Sequence, residues 1–165
     1  MIEYENPWFR VIREGRQHWV EEPDARNGAA VIAMRGDRLI LLEMHRPAQG
    51  GARTLEIPRG YGAEGETARQ AARRELCEET GYDAPLASFQ PLGFVRPNTA
   101  MLSSRVAVFA VTLAPDARPG PRDAEAGAVT DHATADLDAL IRAGGIEDGF
   151  TLSALCLARA GGVLR

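Results

Sequence analysis

The chain has 165 residues, 45% hydrophobic and 25% charged, with a formal net charge of −4 at pH 7. These are ordinary values for one folded domain, and they exclude a disordered chain. No apolar run approaches the ~20 residues of a membrane span, Met1 to Pro7 lacks the apolar core of a signal peptide, and the negative balance leaves no electrostatic footprint for a nucleic-acid polymer. A single soluble, cytoplasmic domain over residues 1–165 is therefore expected, with no membrane partner and with Cys77 and Cys156 reduced.

In chain order, residues 1–27 carry two strand-like runs, Trp8–Ile12 and Gln17–Glu21, around Glu14-Gly15-Arg16. This pattern predicts an N-terminal β-hairpin. Ala29–Met34 and Arg38–Met44 flank the turn signal Gly36-Asp37 and predict a second hairpin. Thr54–Ile57 is a strand that delivers the chain to Pro58-Arg59-Gly60. Thr67 can cap a helix, with Gln70 three residues on, and Gly81 can end it. Leu86–Val95 and Ser103–Leu113 read as strands. Between Leu113 and Gly127 the breakers Pro115, Pro119, Gly120 and Pro121 dictate a long loop. Leu137, Leu140 and Ile141 mark a short helix, and Leu152, Leu155 and Ala158 a last one ending at Gly161. Mixed strands with flanking helices predict an α/β sandwich.

The central helix has two distinct stripes. Ala68, Ala71, Ala72 and Leu76 form a narrow one that suits close packing on a sheet. Glu75, Glu78 and Glu79 form the other, where like charges cost about 0.2–0.5 kcal/mol per pair unless a cation neutralises them. Two readings follow: a solvated face laced with ion pairs to Arg69, Arg73 and Arg74, or a site for a hard cation such as Mg²⁺.

The segment from Gly60 to Tyr82, GYGAEGETARQAARRELCEETGY, resembles the Nudix box in its Gly60, Glu66, Arg74, Glu75, Glu78, Glu79 and Gly81. Outside residues 60–82, LLEMHRPAQGG, TLEIPRG, Pro97 sixteen residues after Gly81, and the tail LDALIRAGGIEDGFTLSALCLA resemble the ADP-ribose pyrophosphatase branch of that family. The chain departs from the branch at His45, Arg59 and Asn98. The resemblance implies an α/β/α sandwich with a central mixed β-sheet. It also implies metal-dependent hydrolysis of a nucleoside diphosphate linked to another moiety, ADP-ribose to AMP and ribose 5-phosphate in the first place.

Site residues follow from the same resemblance. Mg²⁺, or Mn²⁺, would be held by Glu75, Glu78 and Glu79, with the carbonyl of Arg59 and the Glu56 carboxylate completing the set. Glu78, Glu79 and Glu125 are the catalytic candidates, Glu125 preferred over Asp123 as the acid from the long loop. Arg46 would clamp a phosphate or the terminal ribose; Arg96, Arg105 and Pro97 are further substrate contacts. Every cationic side chain here is Arg, which suits a bidentate grip on phosphate. Trp8 and Trp19 are expected either to stack on the base or to cover the sheet as anchors. A homodimer through the N-terminal strands is also implied. Other nucleotide sugars, dinucleotides and nucleoside triphosphates stay open as substrates, as does a ligand sensor without turnover.

Overall fold

The computed structural model describes residues 1–124 and 126–164, apart from the side chains of Asp24 and Arg26. Two sheets organise it. The smaller is antiparallel, in the order β1 (Ile2–Glu5), β2 (Arg10–Glu14), β3 (Gln17–Glu21). The predicted hairpin is present, turning at Gly15 in the left-handed region (φ +60°). β1 is an addition to it, a four-residue strand exposed throughout and too short to signal itself in the sequence.

The larger sheet holds β4 (Ala29–Arg35), β5 (Arg38–His45), β6 (Arg53–Glu56), β7 (Arg59–Gly60), β8 (Gln90–Val95), β9 (Val106–Leu113) and β10 (Ala128–Ala133). Its order is β10-β5-β4-β9-β8, mixed because β4 and β9 run parallel. The β4–β5 hairpin is zipped only beside its turn, at Met34–Leu39 and Arg35–Arg38, and then splays. β6 pairs with β5 inside the fork and β7 with β4. The Val31 N–H donates to the Pro58 carbonyl at 2.9 Å, seating the crossover at the fork. This wedge aims Arg59 and Gly60 at the central helix.

Alternation along the buried strands feeds a core on each face. Ala29, Val31 and Ala33 of β4 pack with Ala71, Ala72 and Leu76 of α1 (Ala68–Thr80). Ala30, Ile32 and Met34 pack with Leu137 of α2 (Leu137–Arg142) and with Ala154, Leu155 and Ala158 of α3 (Gly149–Ala160). The α/β/α sandwich is thus observed. No helix among the described residues is long and apolar enough to cross a membrane.

The ends of α1 follow the sequence reading. Thr67 and Gln70 form a reciprocal capping box, and Gly81 (φ +74°) closes the helix with its N–H on the Cys77 carbonyl at 2.8 Å. An added Cβ at Gly81 would meet the carbonyl of Gly120, whose own N–H donates to Gly81 at 2.7 Å. Gly81→Ala is therefore expected to destabilise by about 1–3 kcal/mol through the left-handed backbone alone; a urea titration checks this.

Two strand expectations need correction. Leu86–Ser88 is a 3₁₀ turn, and the strand begins at Gln90. Pro85 fixes the entry, and its carbonyl accepts from both the N–H and the hydroxyl of Ser88, at 2.9 and 2.7 Å. The strand expected from Ser103 begins at Val106. Residues 101–103 pair instead with β3: Val20 donates to Met101 at 2.7 Å and Ser103 donates back to Val20 at 3.0 Å. That exchange joins the two sheets.

Candidate active site

Glu75, Glu78 and Glu79 lie on one side of α1, as their spacing requires. Glu79 is held by the wedge, one carboxylate oxygen accepting from the Arg59 N–H at 2.9 Å. Glu75 is buried, its carboxylate lying where a Cβ of Gly60 would sit. Arg74 bridges Glu75 (2.7 Å) and Glu78 (2.8 Å) through one terminal nitrogen; the other reaches Glu66 (3.0 Å) and the Tyr61 carbonyl (2.7 Å). Glu66 in turn accepts from the Ala63 N–H at 2.9 Å. Arg74 and Glu66 therefore tie the loop before α1 to the helix.

Electrostatics separates these carboxylates. Arg74 holds the Glu66 carboxyl below its usual range. Burial raises Glu75 despite its contact with Arg74. Burial pushes Glu79 furthest, to about 7, partly offset by the Arg59 N–H. Among the described residues no three His, Cys, Asp or Glu side chains form a ready cation site; Arg74 supplies the neutralising charge. The donors nevertheless fit a hard divalent cation, being oxygen ligands gathered as carboxylates on one side of one helix. The space left by Gly60 keeps Glu75 among them.

A second cluster faces the first. Glu56, 2% exposed, accepts a bidentate pair from Arg46 (3.0 and 2.6 Å) and a further bond from Arg59 (2.7 Å). Arg59 also reaches Asp148 at 3.2 Å and stacks on Phe150, 4.7 Å from its ring centroid. Asp148 in turn caps α3, accepting from the Thr151 N–H at 2.8 Å. Between the clusters lies a cleft of about 360 Å³ lined by Arg46, Arg59, Tyr61, Glu79, Pro97 and Phe150, among others.

The structure thus assembles Arg46, Glu56, Arg59, Glu75, Glu78, Glu79 and Pro97 in one region. It gives Glu56 two arginine partners, a different setting from that of the cation ligand expected of it. Trp8 is 66% exposed and does not line the cleft. Trp19 and Arg96 line a separate pocket with His18, and Arg105 lies over the Phe94 ring in an adjoining chamber. Glu125 lies outside the described residues. Its loop does reach α1, since the Asp123 N–H donates to the Glu78 carbonyl at 2.7 Å. Sequence reasoning missed Tyr61, Asp148 and Phe150; Asp148 followed three residues later by Thr151 is a helix-start signal that marked the first turn of α3.

Residues 24–149 match the family model described as NUDIX domain. The chain belongs to the Nudix family. Among relatives of this Nudix domain is the ADP-sugar pyrophosphatase of Mus musculus, 32% identical over 121 residues, covering 70% of this chain and 55% of the mouse protein. The chain thus spans about half the length of that relative. The crystal structure of an ADP compounds hydrolase matches with a TM-score of 0.77 at 20% identity, over 97% of this chain and 89% of that one. That likeness is one of fold. The family resemblance read from residues 60–82 is confirmed.

Proposed function

We propose that this Nudix domain hydrolyses the diphosphate of an ADP-sugar, ADP-ribose in the first place, giving AMP and ribose 5-phosphate. The observation that carries this reading is the cleft itself, lined by the box carboxylate of Glu79 and by the paired guanidinium groups of Arg46 and Arg59. The relationship to an ADP-sugar pyrophosphatase supports the substrate class.

Glu75, Glu78 and Glu79 would hold Mg²⁺ or Mn²⁺, with the Arg59 carbonyl beside them. When bound, the cation neutralises diphosphate charge and makes water a better nucleophile. The chain's own groups do the rest. Arg46 and Arg59 orient the diphosphate; the Arg59 Nε is buried without a hydrogen-bond partner among the described residues, a donor left for a ligand. Water attacks one phosphorus in line, and the bridging P–O bond breaks. Glu79, which lines the cleft, is the first candidate to accept the water's proton, with Glu78 and Glu125 as the other candidate bases. Glu56 orders the two arginines.

The working form is a homodimer through the β1–β3 sheet, which exposes Ile2, Tyr4 and Trp8 by 51, 54 and 66%; Trp8 would then stand beside the partner's base. We place the protein in the reducing cytoplasm, consistent with the free thiols of Cys77 and Cys156. Phosphate release after phosphatase coupling, across ADP-ribose, other nucleotide sugars, dinucleotides and nucleoside triphosphates, tests the reading. Metal-dependent turnover led by ADP-ribose supports it. A different leading substrate would discard the substrate, and binding without turnover would make the domain a sensor. Gly60→Ala, which forces the Glu75 carboxylate to shift, is expected to lower turnover about 10²-fold while the circular dichroism spectrum is retained.

A further inference from the structure

The long loop between β9 and β10 is fastened to the box helix at several points. Ala117 packs against the core that α1 shares with the large sheet. Further on, the Gly120 N–H donates to the Gly81 carbonyl and the Asp123 N–H to the Glu78 carbonyl, both at 2.7 Å. Arg122, between those two donors, gives its own hydrogen bond to the Gly127 carbonyl and lies 3.4 Å from that of Ala126. Gly127 is seated on β5, where an added Cβ would meet the Glu43 carbonyl and the Met44 sulfur. Gly120 stands between Pro119 and Pro121, whose rings restrict the backbone and reduce the entropy lost when the loop is seated.

The last turn of α1 is the part of the helix that needs such support. It contains no basic residue, and it carries Glu78 and Glu79. Negative charge at a helix C-terminus opposes the macrodipole, and the final carbonyls have no partner within the helix. Gly81 satisfies the carbonyl of Cys77, but that of Glu78 is satisfied from the loop by Asp123. Two of the three glutamates suited to a cation therefore sit on a turn held from outside. The Glu78 side chain, 40% exposed, has Arg74 as its ion-pair partner, so its backbone bond to Asp123 is a principal restraint on where the carboxylate stands.

We propose that the stretch bearing Gly120, Arg122 and Asp123 is a clasp on the end of α1, with Arg122 as its positioning residue, and that the affinity of the box glutamates for a divalent cation depends on it. The proposal rests on the cation reading above. It gives the loop a task separate from supplying an acid: main-chain N–H groups, closed into place by Arg122, preset the carboxylates.

The test is titration of the whole chain with Mn²⁺, the free ion being read by electron paramagnetic resonance without substrate. Arg122→Ala is expected to weaken Mn²⁺ binding about threefold to tenfold, the worth of one hydrogen bond, and Arg122→Lys, which keeps a donor for the Gly127 carbonyl, to restore most of it. Gly120→Pro, which deletes the N–H, should show the same loss; Gly120→Ala retains it and has room for the methyl group, so its affinity should equal that of the natural chain. Asp123→Asn keeps the main-chain donor and should also bind as the natural chain does. Unchanged affinity in both Arg122→Ala and Gly120→Pro overturns the proposal, as does a lower metal-free Tm in them with no change in affinity, which marks a merely structural loop. Weakening in Asp123→Asn alone overturns it in favour of a side-chain ligand, and a natural chain that binds no Mn²⁺ overturns it outright. Because no substrate is present, a chain that shows these losses yet fails to split ADP-ribose would retain the clasp and refute only the proposed reaction.

Discussion

Glutamine in place of Glu79 is expected to remove activity and yet, without divalent cations, to make the protein more stable. The carboxylate is buried against the wedge, and burial raises it to about 7 from the ordinary carboxylate value of 4.5. A carboxyl that keeps its proton longer when folded than when unfolded imposes no penalty in acid. Between pH about 4.5 and about 7 the unfolded chain ionises first, and stability falls with rising pH by about 3 kcal/mol in all. Glutamine is uncharged throughout and retains a carbonyl oxygen for the Arg59 N–H. Its Tm should therefore exceed that of the natural chain by about 6–12 °C at pH 8, and the two should converge near pH 4. Turnover should drop by about 10²–10⁴-fold, the usual worth of a positioned acid–base group. Mg²⁺ should raise the Tm of the natural chain and leave the variant's where it is. A stability difference independent of pH would show that buried charge is not its origin.

Glu56→Gln should act in the opposite sense, lowering stability by about 3 kcal/mol. Removing one member of a buried ion pair costs about 3–5 kcal/mol. The lower end applies because the arginine side chains are 38 and 24% exposed and regain water when released. The corresponding fall in Tm is about 6–12 °C. The same variant separates two roles. If Glu56 orders Arg46 and Arg59, the stabilisation produced by Mg²⁺ survives the substitution; if Glu56 is a cation ligand, that stabilisation disappears with it.

The parts of this molecule that local chemistry dictates could be read from the sequence. Thr67, Gln70 and Gly81 delimit α1 to the residue, and the small-residue stripe of Ala71, Ala72 and Leu76 lies on the sheet. Grouping of Glu75, Glu78 and Glu79 follows from helical spacing alone. What escaped notice depends on distant segments. Arg59 meets Asp148 across 89 positions, and nothing around either residue announces the other. Both readings of the glutamate stripe proved partly apt, since Arg74 neutralises the very side chains that suit a cation. The tryptophans drew attention as the largest aromatic surfaces, whereas the cleft is edged by Tyr61 and Phe150, whose neighbouring residues gave no sign of a site.

The seam at Val20 separates two kinds of inheritance. Carboxylates and the wedge come from one stretch of chain and one face of the large sheet, tied together by Arg74 and by the Arg59 N–H. The chamber adjoining the cleft is assembled from remote segments that meet where Val20 exchanges backbone bonds with Met101 and Ser103. Drift in those segments can remodel which molecules are admitted while leaving bond cleavage untouched. A lineage carrying this architecture is thus free to change its diet without relearning its chemistry.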